Sequence, residues 1–463
     1  MARHRQALCM PRLVHSHDCL IRELESVFPP SSFSSSLFLF TFFHRGKFSL
    51  HSLSFVLYRV VLCLAAAMAY LKPVRGQAPT AFPEYAHQED VKTLALSQNN
   101  FTRDLYVLLA QKKPGNLFIS PFSIMTALSM TYAGAKENTE EEMRSVLHLT
   151  QENDALHNAF QDVVSDIKTE APEYELRTAN MAYVSNKLTV LSEFANTLKE
   201  KYLSSSKVVD FGESEAVRKE INDVVEKETN AKIKDLIPSG VLTSLTRMVL
   251  VNAVYFKGLW LNQFDESDTH DQEFWISAEE SVQVPMMHIK KKFRYFNHRD
   301  LDSTILAMDY KGSRLSMVIV LPNKRDGLAE VEAKLAKADL YEIDRGLHSV
   351  EVEVSLPRFK LEESLELVEY LQAMGMKDLF DEVRSDLSGI SGNRDLFVSN
   401  VIHKAFLEVN EKGSEAAAAT AVVAATRMLI RPIPPFIADH PFMVCIRDHR
   451  SGLIHFVGRL VKP

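Results

Sequence analysis

From about residue 93 onward, two hydrophobic rhythms divide the chain. Phe101, Leu105, Leu108 and Leu109 recur on one helical face, and this spacing predicts a helix ending before Pro114-Gly115. In "SPFSIMTALSMTYAGAK", Ser120 suits an N-cap and Pro121 the first turn. The residues up to Gly134 are apolar or small nearly all round, so this helix belongs inside the protein. "TEEEMRSVLHL" and "NDALHNAFQDVVSDIK" are amphipathic helices, and Val217, Ile221 and Val224 define another ahead of "AKIKDLI". Strand-like runs follow or intervene: "LRTANMAYV", "MVLVNAVYFKG", "SVQVPMM", "STILAMDY", "LSMVIVLP", "VEVEVSLPRF", "HKAFLEV" and "LIHFVGRLV". Helices cluster early and strands dominate later without strict alternation, which predicts an α+β fold with mainly antiparallel sheets. No long linker or repeat interrupts residues 93–463, so they read as one domain.

The 463 residues are 46% hydrophobic and 24% charged, enough for a large core. A net charge of -7 excludes a dedicated nucleic-acid binder, which would show a basic excess. Cys9, Cys19 and Cys63 precede the body, leaving Cys445 in "FMVCI" as a buried strand residue, with no disulfide framework or zinc spacing. The His15, His17, Asp18 and Cys19 grouping lies in the leader and is not read as a metal site. Neither GxSxG, HExxH, GxxxxGK[ST] nor GxGxxG occurs, so no enzyme, metal or cofactor is expected. Lys290, Lys291 and Lys292 in "HIKKKFR" read as a solvated edge, with weak glycosaminoglycan contact as the alternative.

Residues 60–69, "VVLCLAAAMA", follow Lys47 and Arg59 and offer Ala67 and Ala69 as an A-x-A cleavage pattern. That predicts a secretory signal peptide within a leader of residues 1–69, cut near 69 or 76, and a mature extension over 70–92. Arg59 and His44 interrupt the apolar runs and argue against a membrane anchor. Asn100-Phe101-Thr102 is a glycosylation acceptor triplet that fits a secretory route, and a secreted, extracellular protein acting as a monomer is expected.

"EKGSEAAAATAVVAATRML", residues 411–429, has an odd composition for a loop. Its alanines favour helix, whereas Thr420, Val422, Val423 and Thr426 favour strand, and Pro432, Pro434 and Pro435 follow as punctuation. As a strand, one face would carry Ser414, Ala416, Ala418, Thr420, Val422, Ala424 and Thr426, all small and uncharged.

The segments "NLFISPFSI", "INDVVEKETNAKIKDLI", "LVNAVYFKGLW", "VPMM", "LPRFKLE", "DLSGIS", "HKAFLEVNEKGSEAAAAT" and "DHPFMVCIRD" resemble, in family order, the signature segments of the serpins. The resemblance implies a fold of three β-sheets and about nine helices, with an exposed reactive-centre loop over about 411–435. Cleavage of that loop lets its amino-terminal arm enter the largest sheet. It further implies a hinge of Glu411, Gly413, Ser414, Glu415, Ala416, Ala417, Ala418, Ala419 and Thr420, in the small-residue form of inhibitory members. Family spacing puts the scissile bond at Arg427-Met428, fourteen residues beyond Gly413. An arginine bait implies covalent complexes with trypsin-like serine proteases, the inhibitor acting as a suicide substrate. Arg431 is a second candidate bait, disfavoured by Pro432. Ser120, Ser123, Asn252 and His403 correspond to the family's shutter under the sheet, and Trp260 to the breach where the loop enters. Val225 and Ala231 stand where many members carry tryptophan and glycine. The helix over 153–168 is acidic, with Lys168 its only Lys or Arg, so activation by heparin there is not expected. The competing reading is a non-inhibitory serpin, a carrier, storage protein or chaperone, against which the hinge "GSEAAAAT" argues.

Overall fold

The helical periodicities become a run of early helices in the computed structural model, which describes residues 82–168, 174–343, 345–413 and 432–463. In α1 (Gln88–Lys112), Phe101, Leu105 and Leu109 are fully buried and Leu108 is half-buried. A short β1 (Leu117–Ile119) leads into α2 (Pro121–Tyr132), every residue of which is buried, as its all-round apolar character requires. α3 (Glu137–Val146), α4 (Asn153–Lys168), β2 (Tyr174–Ser185), α5 (Ser192–Lys201), β3 (Ser206–Val209), α6 (Ser214–Glu228) and β4 (Met248–Gly258) follow. The face of α6 differs from the expected one. Val217, Ile221 and Val225 are buried while Val224 is half-buried, because positions four apart stay in line on a helix.

The second half holds β5 (His270–Trp275), β6 (Ser281–His298), β7 (Ser303–Asp309), β8 (Leu315–Pro322), α7 (Leu328–Leu335), β9 (His348–Pro357) and β10 (Phe359–Glu366). It continues through α8 (Val368–Met374), α9 (Ser388–Ser391), β11 (Asn400–Val409), β12 (Pro435–Ile437), β13 (Phe442–Asp448) and β14 (Ile454–Leu460). The run "VEVEVSLPRF" is two strands rather than one: β9 and β10 part at Arg358 and join different sheets.

One sheet has five strands in the order β10-β11-β4-β2-β3. The other runs β1-β14-β13-β8-β7-β6-β9-β12, with β5 also on β6. The three sheets expected emerge as two hydrogen-bonded assemblies because the 18-residue β6 is shared. Its first part pairs with β5, its last with β7, and β9 lies along its middle.

β4 shows how the core is divided. Met248 and Leu250 enter a cluster with α1, α2 and α4, while Val254 and Phe256 enter a second cluster between the sheets. The alternate residues Val249, Val251, Ala253 and Tyr255 pack on Val217, Ile221 and Val225 of α6. Among the described residues no helix is long and apolar enough to cross a membrane.

Candidate functional site

Within the five-stranded sheet, β11 and β4 run parallel, with Asn400 to Phe406 opposite Val249 to Tyr255. Across the middle of this seam, Asn180, Asn252 and His403 stand in one row on three neighbouring strands. Asn252 and His403 are fully buried. Asn252 is the polar position in β4's otherwise apolar interior face, where the first core cluster gives way to the second. Beneath the row lies the start of α2. Ser120 caps that helix, its hydroxyl accepting from the Ser123 N–H at 3.4 Å.

The hydrogen bonds define one protonation pattern. The Ser120 backbone N–H donates to His403 Nε2 at 3.1 Å, so the ring proton sits on Nδ1 and is donated to Asn252 Oδ1. The Asn252 amide then donates to Ser123 Oγ and Asn180 Oδ1, and the Ser123 hydroxyl donates to Asn180 Oδ1 at 2.7 Å. Burial holds the His403 pKa down at about 3, so the imidazole is neutral and the seam carries no charge. The four residues expected beneath the sheet are thus brought together. Asn180 is the member that sequence reasoning missed, although a lone amide in the strand run "LRTANMAYV" was a visible signal.

At the end of the seam the chemistry changes. Beyond β11 the chain turns back at Asn410, whose N–H donates to the Gly413 carbonyl at 2.8 Å while the Gly413 N–H returns to Asn410 at 3.2 Å. Gly413 forms antiparallel bridges with both Leu259, just past β4, and Asn410, just past β11. It adopts φ +126°, and a Cβ there would lie 2.0 Å from the Gly258 carbonyl oxygen, so only glycine fits. Trp260 holds the turn from the side: its N–H donates to the Lys412 carbonyl at 3.0 Å and its indole Nε1 to the Asn410 carbonyl at 3.0 Å. The indole is buried and stacks on Tyr310 with ring centroids 4.5 Å apart.

Glu411 is buried in the same turn. Its Oε1 accepts from Arg358 Nε at 2.6 Å and from the Thr269 hydroxyl at 2.6 Å. Burial pushes its carboxyl pKa up, but the bonds from Arg358 and Thr269 outweigh this and hold it below the usual glutamate value. Neither Arg358 nor Thr269 was legible as a partner, since both sit far from Glu411 in the chain.

Ser414, Glu415, Ala416, Ala417, Ala418, Ala419, Thr420, Arg427, Met428 and Arg431 lie outside the described residues, as do the leader over 1–69 and residues 70–81 of the extension. On the far side of that gap, β12 pairs in parallel with β9, Phe436 opposite Val354. The two ends of the segment are therefore fastened to different sheets.

Other expected sites fare differently. Lys290, Lys291 and Lys292 lie on β6 between the stretches that pair with β5 and β7, so that β9 alone flanks them, and Glu353, Val352 and Glu351 stand directly opposite; Lys290 and Lys292 are exposed. Two of the three charges face carboxylates across the ladder. Asn100 sits half-buried in mid α1, while Phe101 and Thr102 of its triplet are fully buried. The Thr102 hydroxyl donates to the Gln98 carbonyl at 2.7 Å. This placement disfavours a glycan at Asn100. Cys445, read as buried, is half-buried on β13. Val225 is fully buried on the inner face of α6, and Ala231 takes φ +58°, the left-handed conformation that glycine accommodates without strain.

A five-stranded sheet with a parallel seam, a polar row under it and a glycine turn seated at its end defines a serpin-type protein. The family profile described as Serpin (serine protease inhibitor) matches residues 96–463, and the chain belongs to this family. It is 41% identical over 381 residues to the leukocyte elastase inhibitor of Homo sapiens, covering 81% of this chain and 100% of that protein. Among solved structures, Serpin48 of the insect Tenebrio molitor matches with a TM-score of 0.73 and 36% identity, over 80% of this chain and 98% of that one. Human thyroxine-binding globulin in complex with its hormone matches with a TM-score of 0.74 and 32% identity, over 81% and 99% of the two chains.

Proposed function

We propose that this protein is a secreted suicide-substrate inhibitor of trypsin-like serine proteases. The observation that carries this reading is the seat of Gly413, already antiparallel to the ends of both β4 and β11. A strand continuing from it would lie antiparallel to both neighbours and replace one parallel pairing with two antiparallel ones, which are the more stable kind. Roughly a dozen new backbone hydrogen bonds at about 1 kcal/mol net each would drive the change.

In the proposed reaction the protease's serine Oγ attacks the Arg427 carbonyl carbon. An ester forms, the peptide C–N bond to Met428 breaks, and the departing amine takes a proton from the protease's general acid. The new ends then separate, since β12 stays with β9 while the arm beyond Gly413 enters the seam with the protease still esterified. Arg427 supports a trypsin-like target through its fixed charge and planar fork. The name of the human relative points instead to elastase. This chain's own bait residue decides the reading, because the pocket that accepts a guanidinium carries a carboxylate. A carrier function has support in the likeness to thyroxine-binding globulin, but the small-residue hinge argues against it. Glycosaminoglycan contact at Lys290, Lys291 and Lys292 would be weak, given Glu351 and Glu353 opposite.

The test is incubation with trypsin, chymotrypsin and elastase, scored for complexes that survive denaturing gels. Trypsin complexes are expected, and Arg427→Ala should abolish them. Retained complexes would transfer the bait to Arg431, and cleavage without trapping would overturn the inhibitory reading. Mass spectrometry of the secreted product checks the export route, which peptides from residues 1–45 in the mature protein would contradict.

A further inference from the structure

Two histidines stack beside the clamp that holds Glu411. The rings of His270 on β5 and His288 on β6 have centroids 4.5 Å apart and are tilted by 16°. Their surroundings suit the neutral state. The Gln272 amide Nε2 lies 2.9 Å from His270 Nε2, so that nitrogen accepts and Nδ1–H donates to the Asp268 carbonyl at 3.3 Å. His288 Nδ1 pairs with the Ser355 hydroxyl at 2.9 Å. Its Nε2 is buried and meets no hydrogen-bond partner among the described residues. A proton on either Nε2 would therefore face a donor or nothing, and two protons would set like charges against each other.

The pair touches both fastenings of the segment between Gly413 and β12. Thr269, next to His270, donates to Glu411 at the hinge. Ser355, bonded to His288, stands opposite Ile437 of β12, and its carbonyl accepts from the Ala438 N–H at 2.9 Å. The charged groups around the rings are few. Asp268 and Glu353 favour charging, Lys290 stands opposite Glu353 and offsets it, and Gln272 and Ile437 carry no charge.

We propose that the stacked His270–His288 pair is a pH-sensitive latch: neutral, it holds the hinge turn and β12 in place, and charged in mildly acidic medium, it releases them. This rests on the inhibitory reading above. Burial first, then the neighbouring His270, keeps the His288 pKa below the ordinary value of 6.5, with Asp268 and Glu353 acting against. A histidine depressed in the folded state stabilises that state at neutral pH, and the contribution fades as pH falls below its unfolded value. Released anchors let the segment enter the seam uncut, so inhibitory capacity should decay in acid without any protease.

The full-length secreted protein is held at pH 5.5 or 7.5, returned to pH 7.5, and titrated with trypsin for complexes stable on denaturing gels. Capacity of the wild type should decay several-fold faster at pH 5.5 than at pH 7.5, since charging that the closed arrangement disfavours shifts the population toward the released one. H270Q removes one exposed ring and should keep the fold, while H288Q leaves an amide for Ser355. Either should bring the ratio below about two-fold. The same acid sensitivity in wild type and both variants would overturn the latch and assign the effect to other histidines. Absence of any complex at pH 7.5 would instead overturn the inhibitory reading, and the latch with it.

Discussion

The middle and the end of the β4–β11 seam are closed by opposite means. In the middle, Asn180, Asn252, His403 and Ser123 form a neutral network in which each donor has one acceptor. At the end, a charged Glu411 held by Arg358 and a side-chainless Gly413 fix a turn against the backbone of Gly258 to Trp260. A neutral network buried in low dielectric is costly to half-break, so it opens as a unit. The clamp, with Arg358 partly exposed, opens bond by bond. The difference teaches where a strand can start: at the end, where Gly413 already occupies the gap, and not in the middle.

Four substitutions sharpen this contrast, in order of expected effect. Gly413→Ala adds a Cβ with no room and a disfavoured φ, and should displace the turn at a cost of about 3 kcal/mol. The check is denaturant unfolding together with the lifetime of trypsin-trapping capacity. Asn252→Ala leaves His403, Asn180 and Ser123 short of partners and should cost about 2 kcal/mol in the same unfolding measurement. Glu411→Gln keeps the shape but weakens the bonds from Arg358 and Thr269. It should cost about 1 kcal/mol and shorten the lifetime of trapping capacity more than it lowers global stability. Ala231→Gly, remote from both regions, relieves a left-handed alanine and should gain about 0.5 kcal/mol without touching inhibition.

The pH profile separates the regions further. The His403 pKa is about 3 and the His157 pKa about 4, both lowered mainly by burial from the ordinary 6.5. In this window the unfolded chain binds more protons, so stability present above pH 6.5 is lost as pH falls toward 3, with a slope of up to about 1.4 kcal/mol per pH unit per histidine. Chemical unfolding at stepped pH checks the sign. A profile flat between pH 6 and 4 would contradict the neutral-row account.

Much of this was written in periodic positions. The helix over Asn153–Lys168 and the strands Met248–Gly258 and Leu315–Pro322 match their sequence runs end to end, because a buried face imposes its own spacing. β5 escaped notice because four of its six residues, "HDQEFW", are polar and it buries only Phe274. The split of "VEVEVSLPRF" was also hidden, since alternation continues while the chain changes sheets at Arg358. Of the site, the individual serines, Asn252 and His403 could be named, but Asn180, Arg358 and Thr269 owe their roles to registers between strands far apart in the chain.

The central claim is that the seam is an unfilled place for the segment after Gly413. The direct measurement is the thermal unfolding midpoint of the intact protein beside protein nicked at Arg427-Met428. A gain of more than roughly 15 °C on nicking is predicted from about a dozen net hydrogen bonds. An unchanged or lower midpoint would contradict the account.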